Sequence, residues 1–292
     1  MAERAGNAVM TVRELLSWGK KELALAGCPE PETDARLLLY FAADADLTWY
    51  ALHMEDPARE SVEDRFRSVI ARRAMREPLQ YITGSAPFFG YTFKVTPAVL
   101  IPRFDTEILV EETLGVLAPG MRLLDICTGS GCIPIAVVKE FAERTGGEKL
   151  SAAASDLSEE ALAVARENAR ELGADIHFVK SNLFSEITGT YDVITANPPY
   201  IKEDDISLLD REVRSFEPHI ALSGMGDGLY FYRKITEEAS DYLRRDGIMI
   251  LEIGADQAES VSGMLRDHGF RDIRLVRDLG GRDRVLMAKR RI

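Results

Sequence analysis

The chain has 292 residues, 46% of them apolar and 29% charged, with 22 glycines and 12 prolines. Such a composition excludes a disordered or low-complexity chain and is enough for one large domain or two unequal ones. Lysine and arginine number 36 against 48 aspartates and glutamates, a net charge of −12, and up to Ser85 there are 14 acidic and 11 basic side chains. An acidic surface repels phosphate backbones, so nucleic acid is not an expected partner.

Residues 1–80 read as all-helical. Val12, Leu15, Leu16 and Leu23 follow a helical period up to Gly27, and Pro29 and Pro31 end that element. Thr33 or Asp34 can cap a second helix carrying Leu37, Leu38 and Phe41, a short third element covers Leu47–Leu52, and a fourth from about Ser61 shows Val62, Phe66, Val69 and Ile70 on one face. A small helical bundle fits these lengths and short connections. Arg65, Arg72 and Arg76 share a stripe on the last helix; a solvated face is expected there, with a partner-docking face as the sharper alternative. Residues 81–104 form a connector. In it Tyr81–Thr83 and Tyr91–Val95 are β-rich and flank Gly84 and Gly90, which predicts a hairpin. Asp105 then suits the N-cap of a helix with Glu107 in its first turn.

Residues 105–292 alternate strand and helix. Leu123–Ile126, Leu150–Ser155, Ile176–Val179, Val193–Ala196 and Ile248–Ile253 are apolar strands. A Gly-rich turn and a helix through Val137 follow the first. The second leads to a helix carrying Leu162, Ala165, Ala169 and Leu172, and a helix to His268 follows the fifth. Two closing strands, near Ile273–Val276 and Val285–Ala288, have no helix between them and should pair antiparallel. The fold class is therefore α/β, a mostly parallel sheet covered on both faces, preceded by a small all-helical domain.

Three cysteines, Cys28, Cys127 and Cys132, are too few for a disulfide framework, and the four histidines are scattered without ligand spacing. No metal is expected. Met1–Met10 carries no apolar h-region, and the longest apolar run, Leu37–Ala43, has seven residues, against the ~20 that span a bilayer. A soluble, reduced, cytoplasmic protein without membrane contact is expected.

Ligands of doubly wound sheets bind beyond the carboxyl ends of the strands. The first such end reads Asp125-Ile-Cys-Thr-Gly-Ser-Gly131. Gly129 and Gly131 permit a tight turn and close approach of a ligand. A dinucleotide loop would want glycine at position 134, where Pro134 stands, so the loop suits a cofactor without a pyrophosphate. Asp156, 25 residues after Gly131 at the end of the second strand, can accept from both ribose hydroxyls, with Ser158 better placed to cap the next helix. These features fit S-adenosyl-L-methionine.

The fourth strand ends in Asn197-Pro-Pro-Tyr200. Methylating a planar nitrogen requires both N–H groups to be held and the lone pair aimed at the methyl. The Asn197 side-chain oxygen can be one acceptor and the Pro198 carbonyl the other, kept in place by the stiff Pro198-Pro199 backbone. Tyr200 can pack its ring against the planar group. Such a site works by positioning and electrostatics and needs no strong base.

With these motifs the chain resembles the HemK/PrmC-type glutamine methyltransferases, which modify the glutamine of the Gly-Gly-Gln loop in class I peptide chain release factors. The resemblance covers nearly the whole chain: Glu77-Pro-Leu-Gln-Tyr-Ile-Thr-Gly84, Ile101-Pro-Arg-Phe-Asp-Thr-Glu107, Asp125–Gly131, Asn197–Tyr200, Phe216-Glu-Pro218 and Gly226-Asp-Gly-Leu229. It implies a Rossmann-like S-adenosylmethionine-dependent sheet with antiparallel terminal strands. It implies cofactor contacts from Cys127, Thr128, Gly129, Ser130, Gly131, Asp156, Asn182, Leu183 and Asn197. Catalysis would fall to Asn197, Pro198 and Tyr200, and substrate glutamine would be held by Asn197, Pro198, Pro199 and Tyr200. The helical domain would help grip the release factor, and a monomer is expected. Three positions depart from the family pattern. Phe104 stands for a usual proline, and Cys127 stands for a common glycine, with no loss expected from so small a side chain. Asn182 stands for a common aspartate and would meet adenine through its amide oxygen.

Two rival activities share parts of this pattern. A glutamine methyltransferase of a large-subunit ribosomal protein would tend to carry Ser-Pro after the Pro-Arg pair, where Phe104-Asp105 stands. An adenine-N6 DNA methyltransferase would want a basic face and a DNA-reading domain. A non-enzymatic binding module would predict damage to Asn197–Tyr200 or Asp156, and neither is damaged. The acidic run Glu203-Asp-Asp205 reads as a solvated loop rather than a metal site.

Overall fold

In the computed structural model, residues 10–291 are described; the amino-terminal stretch read above as lacking an h-region lies almost wholly outside them. The chain divides into two compact units, one running to Gly84 and taking in Arg211–Phe216, the other made of the remainder.

The first unit contains α1 (Val12–Leu25), α2 (Pro31–Ala43), α3 (Leu47–His53), α4 (Glu60–Ala74) and α5 (Leu79–Thr83). Helix α1 starts in a capping box, in which the Thr11 hydroxyl accepts from the Glu14 N–H at 3.2 Å and Glu14 accepts from the Thr11 N–H at 2.8 Å. Leu15, Leu23, Leu38, Leu39 and Phe66 are fully buried and make one core across α1, α2 and α4. Pro31 begins α2 instead of ending α1, because the first helical position needs no N–H. Neither Thr33 nor Asp34 caps that helix. Asp34 sits buried in its first turn and accepts from Arg73 Nε at 2.8 Å.

All three arginines of the stripe find partners within the chain, although Arg65 stays exposed and the Arg72 side chain is 41% exposed. Arg65 stacks on Phe41 with its guanidinium 4.5 Å from the ring centre, and Arg72 forks onto Glu77. Arg76 lies beyond α4 and makes a bidentate pair with Glu212 at 2.6 Å for both bonds. Tyr81–Thr83, read as β-rich, is helical. Pro78 sets the start of α5, and the Thr83 hydroxyl donates back to the Leu79 carbonyl at 3.1 Å.

The second unit opens with a hairpin, β1 (Ser85–Phe88) and β2 (Tyr91–Lys94), followed by α6 (Glu107–Leu114). Asp105 does not cap α6. It lies in a short 3₁₀ turn, Phe104–Thr106, and reaches Arg284 at 3.2 Å, while Glu107 accepts from the Phe89 N–H at 2.7 Å. Then come β3 (Arg122–Ile126), α7 (Cys132–Arg144), β4 (Ser151–Asp156), α8 (Glu159–Leu172), β5 (His177–Lys180) and β6 (Tyr191–Ala196). The chain continues through α9 (Arg211–Phe216), α10 (Tyr230–Tyr242), β7 (Leu243–Glu252), α11 (Ala258–Asp267), β8 (Phe270–Arg277) and β9 (Asp283–Arg290).

Seven strands form one sheet in the order β5-β4-β3-β6-β7-β9-β8. The first five run parallel, and β9 pairs antiparallel with both β7 and β8. Alternation along the strands feeds two cores. Leu123, Val193 and Ile250 face α6 and α7, whereas Leu124, Ile194 and Leu251 face α10 and α11. Because β4 and β6 flank β3 on opposite sides, the chain reverses direction across the sheet there, and the carboxyl ends of β3 and β6 open a crevice.

Candidate active site

The loop after β3 is folded by its own backbone. Gly131 N–H donates to the Thr128 carbonyl and Thr128 N–H to the Ser155 carbonyl, both at 2.9 Å. Asn168, buried on α8, holds the loop from behind by donating to the Ser130 carbonyl at 2.9 Å. The same side chain exchanges two hydrogen bonds with the backbone of Lys94, fastening β2 to the loop. Asp156 closes the front: its Oδ2 accepts from the Gly129 N–H at 2.8 Å and its Oδ1 from the Ser158 N–H at 2.9 Å. Burial raises the pKa of this carboxyl, and the surrounding N–H groups oppose the rise. Each oxygen keeps a second lone pair, so two further donors can be received. Ser158 caps α8, its hydroxyl accepting from the Ala161 N–H.

Beyond this loop lies a cleft with about 970 Å³ of empty space, its open mouth included, within the range of small-molecule sites. Cys127, Thr128, Gly129, Ser130, Asp156, Asn182, Leu183, Asn197 and Pro199 all line it. Gly131, Pro198 and Tyr200 do not. Gly131 instead permits close packing of α7 and α8, since a Cβ there would stand 3.1 Å from that of Ala165. Tyr200 turns its hydroxyl to Glu252 at 3.4 Å.

Two lining residues, Cys127 (φ +58°) and Leu183 (φ +52°), hold left-handed backbone without being glycine. Such strain costs about 1–2 kcal/mol per residue and gathers at ligand sites. A glycine at 127 would hold this backbone without that cost. Burial pushes the Cys127 thiol well up, and Asp156 and Asp125 add to the shift.

Several further residues shape the site, some of them inside the motif segments but with no role that their spacing reveals. Asp125 is wholly buried at the end of β3, where its Oδ1 accepts from the Thr195 hydroxyl at 2.6 Å; burial pushes its pKa to about 7. Arg103 lines the cleft and is held by buried Glu217 at 2.5 Å, whose other oxygen accepts from the Ile101 N–H. Gln257 donates to the carbonyls of Tyr200 and Gly228, which braces the end of the Asn197–Tyr200 element. Glu252 could have been found as an acid ending an apolar strand, and Asp125, Arg103 and Glu217 stand in the motif segments; Gln257 alone has no local signal. In the acidic run, the Glu203 carboxylate is taken up by Ser223 and His219. Among the described residues, no three His, Cys, Asp or Glu side chains converge on a metal site.

The cleft fits S-adenosylmethionine on its own chemistry. Asp156 offers acceptors for a ribose, and apolar walls such as Ile133 and Leu183 suit a base. The fold and the site thus define a Rossmann-like S-adenosylmethionine-dependent methyltransferase. The PrmC N-terminal domain family matches residues 14–84, and the Methyltransferase small domain family matches residues 103–214. A release factor glutamine methyltransferase from Geobacter sulfurreducens is 39% identical over 95% of this chain and 96% of its own. Another, from Cereibacter sphaeroides, is 40% identical over 96% of this chain and 99% of its own. A crystal structure of a methyltransferase from Pyrococcus furiosus superposes with TM-score 0.53 at 21% identity, covering 76% of this chain and 99% of that one, and shows the shared fold. The chain belongs to the release factor glutamine methyltransferase family.

Proposed function

We propose that the protein transfers a methyl group from S-adenosyl-L-methionine to the side-chain amide nitrogen of the glutamine in the Gly-Gly-Gln motif of class I release factors. The observation that carries the reading is the placement of Asn197 and Pro199 in one cleft with Asp156 and the Cys127–Ser130 loop. Bound there, the cofactor supplies an electrophilic methyl on a sulfonium. The chain's own work is positional. Asn197 Oδ1, which lines the cleft, accepts one amide N–H and holds the amide with its nitrogen lone pair open to the methyl; Pro198 stands outside the lining, so its carbonyl is the second acceptor only from the cleft's edge. Asp156 would receive the ribose hydroxyls, and Asn182 and Leu183 would hold the adenine. No described helix is long and apolar enough to cross a membrane. The family's substrate and the acidic balance of −12 support a protein partner in the cytoplasm over nucleic acid.

The test is incubation with isotopically labelled S-adenosylmethionine and an intact class I release factor, with the label mapped by tandem mass spectrometry. Label on the Gly-Gly-Gln glutamine, lost with Asn197→Ala, is expected. Label on a ribosomal protein or on DNA instead would keep fold and cofactor and overturn the substrate. Asn197→Ala should lower turnover far more than cofactor affinity; equal loss of both would reassign Asn197.

A further inference from the structure

Backbone pairing holds the Asn197–Tyr200 element at both ends. Upstream, Ala196 closes β6 in register with Ile126 on one side and Leu251 on the other. Downstream, the Ile201 N–H donates to the Leu222 carbonyl at 3.0 Å and its own carbonyl accepts from the Gly224 N–H at 2.8 Å, a parallel bridge to the loop before α10. Two glycines let this loop close on the motif. A Cβ on Gly224 would stand 2.8 Å from Tyr200 Cα, and one on Gly228, at φ +79°, would stand 2.5 Å from the Tyr200 carbonyl oxygen. Neither place has room for a side chain.

One side chain completes the contact. Gln257, 4% exposed just before α11, donates through Nε2 to the Tyr200 carbonyl at 3.0 Å and to the Gly228 carbonyl at 3.3 Å. Its Oε1 accepts from the Gly254 N–H at 2.9 Å. All three partners are backbone groups with fixed roles, since the two carbonyls only accept and the N–H only donates. They settle which way the amide faces without reference to any titrating group.

We infer that Gln257, Gly224 and Gly228 form a clamp that positions the Asn197–Tyr200 element for methyl transfer. The inference rests on the reading of that element as the substrate-amide site. Ala196 is fixed by the sheet and the Tyr200 carbonyl by Gln257, and between them the rings of Pro198 and Pro199 lock φ at two successive residues. Little freedom is left in that span, so the clamp sets where Asn197 and Pro199 stand in the cleft. Gln257 does not itself line the cleft, and it is therefore a positioning residue that acts through the motif.

The test is Gln257→Glu, which keeps the shape and makes the donor depend on a proton. A neutral acid can still donate to the Tyr200 carbonyl and accept from Gly254, whereas a carboxylate only accepts and meets two carbonyl oxygens. Burial keeps such an acid protonated well above the usual carboxylate range. The charged groups around the clamp already have partners: Lys202 pairs with Asp256 at 2.9 Å, Asp227 takes Arg233 at 3.2 Å, and Glu252 faces the Tyr200 hydroxyl at 3.4 Å. Transfer of labelled methyl to an intact release factor is measured from pH 6 to pH 9 as the ratio of variant to wild type, beside cofactor Kd and the unfolding midpoint. The kcat of Gln257→Glu should lie within about fivefold of wild type at pH 6 and fall about 10- to 100-fold below it at pH 9, the scale of a misplaced reacting group. Cofactor Kd should stay within about threefold at both. Gln257→Met, which has no donor at any pH, should be slow throughout with no recovery on acidification. A Gln257→Glu ratio that does not vary with pH, a Gln257→Met with normal turnover, or a fall in kcat that tracks unfolding or lost cofactor affinity would each overturn the inference. Should Gln257→Met not fold, the pH dependence of Gln257→Glu decides by itself. Normal turnover by Asn197→Ala would remove the reading beneath the clamp, and the inference with it; a slow Asn197→Ala beside a normal Gln257→Met would sink the clamp alone.

Discussion

Gly129 and Gly131 stand two residues apart in one loop, yet alanine at each should fail in a different way. Both hold left-handed backbone, at φ +55° and +78°, which costs an alanine about 1–2 kcal/mol. A stiffer unfolded chain returns about 0.5–1 kcal/mol of that. The difference lies in what the new methyl meets. At position 131 it would stand 3.0 Å from Ile135 Cδ1, 3.1 Å from Ala165 Cβ and 3.4 Å from Ala165 Cα. Overpacking of this kind costs about 1–3 kcal/mol, so Gly131→Ala should lose about 2–4 kcal/mol in all. At position 129 nothing lies within 4 Å, and the residue lines the cleft. Gly129→Ala should lose about 1 kcal/mol or less of stability but at least about tenfold in cofactor affinity, near 1.4 kcal/mol.

The assay is urea unfolding followed by circular dichroism, paired with calorimetric titration of S-adenosylmethionine. Both tryptophans, Trp18 and Trp49, belong to the helical unit, so their fluorescence would miss the loop. A Gly129→Ala variant less stable than Gly131→Ala, or one that binds cofactor normally, would refute the division of labour.

Further outcomes follow from the buried charges. Burial pushes Asp125 and Glu252 up to about 7, so the folded state keeps protons that the unfolded state gives up near 4. Their contribution therefore falls as pH rises from about 4 to 7 and is constant above. Glu252→Gln removes one of the two, and its stability relative to wild type should rise by on the order of 2 kcal/mol between pH 5 and pH 8; a difference that does not vary with pH would disprove this. In the helical unit, Arg73 is 5% exposed and pairs with Asp34 and Glu212. Arg73→Met strands those carboxylates and should cost about 3–5 kcal/mol, read by tryptophan fluorescence in urea, while an unchanged midpoint would show that water reaches the cluster. Cys127 lines the cleft but is held as a thiol, so iodoacetamide near pH 7.5 should label it slowly in the native protein and readily in urea.

Much of the architecture could be read in advance because it is written in local periods. The strands of the sheet stand within a few residues of their expected places, since apolar runs between helical patterns leave little choice. Helix α10 escaped, although Tyr232, Ile235, Thr236 and Ala239 give it a buried face at helical spacing. Its aromatic and polar start, Tyr230-Phe-Tyr-Arg-Lys234, lacks any capping residue. The helix boundaries around Pro31, Pro78 and Asp105 went astray for a different reason. Each is decided by a distant partner or by a proline's tolerance of the first turn, so Asp34 and Asp105 went to arginines instead of caps.

The site divides along the same line. Loop residues such as Gly129, Asp156 and Asn197 sit at strand ends, where the order of elements alone places them beside one cleft. What could not be read is which residues stand against them. Thr106 is 91 positions from Asn197 and Glu252 is 52 from Tyr200, and no spacing rule links residues brought together only by sheet order. The Asn-Pro-Pro-Tyr element supplies an amide and a carbonyl, but an amide presents either a donor or an acceptor to the cleft. Presenting the acceptor end to a planar amide nitrogen thus depends on how the short motif is held, and its far end is braced by Gln257, whose amide donates to the Tyr200 carbonyl at 3.0 Å.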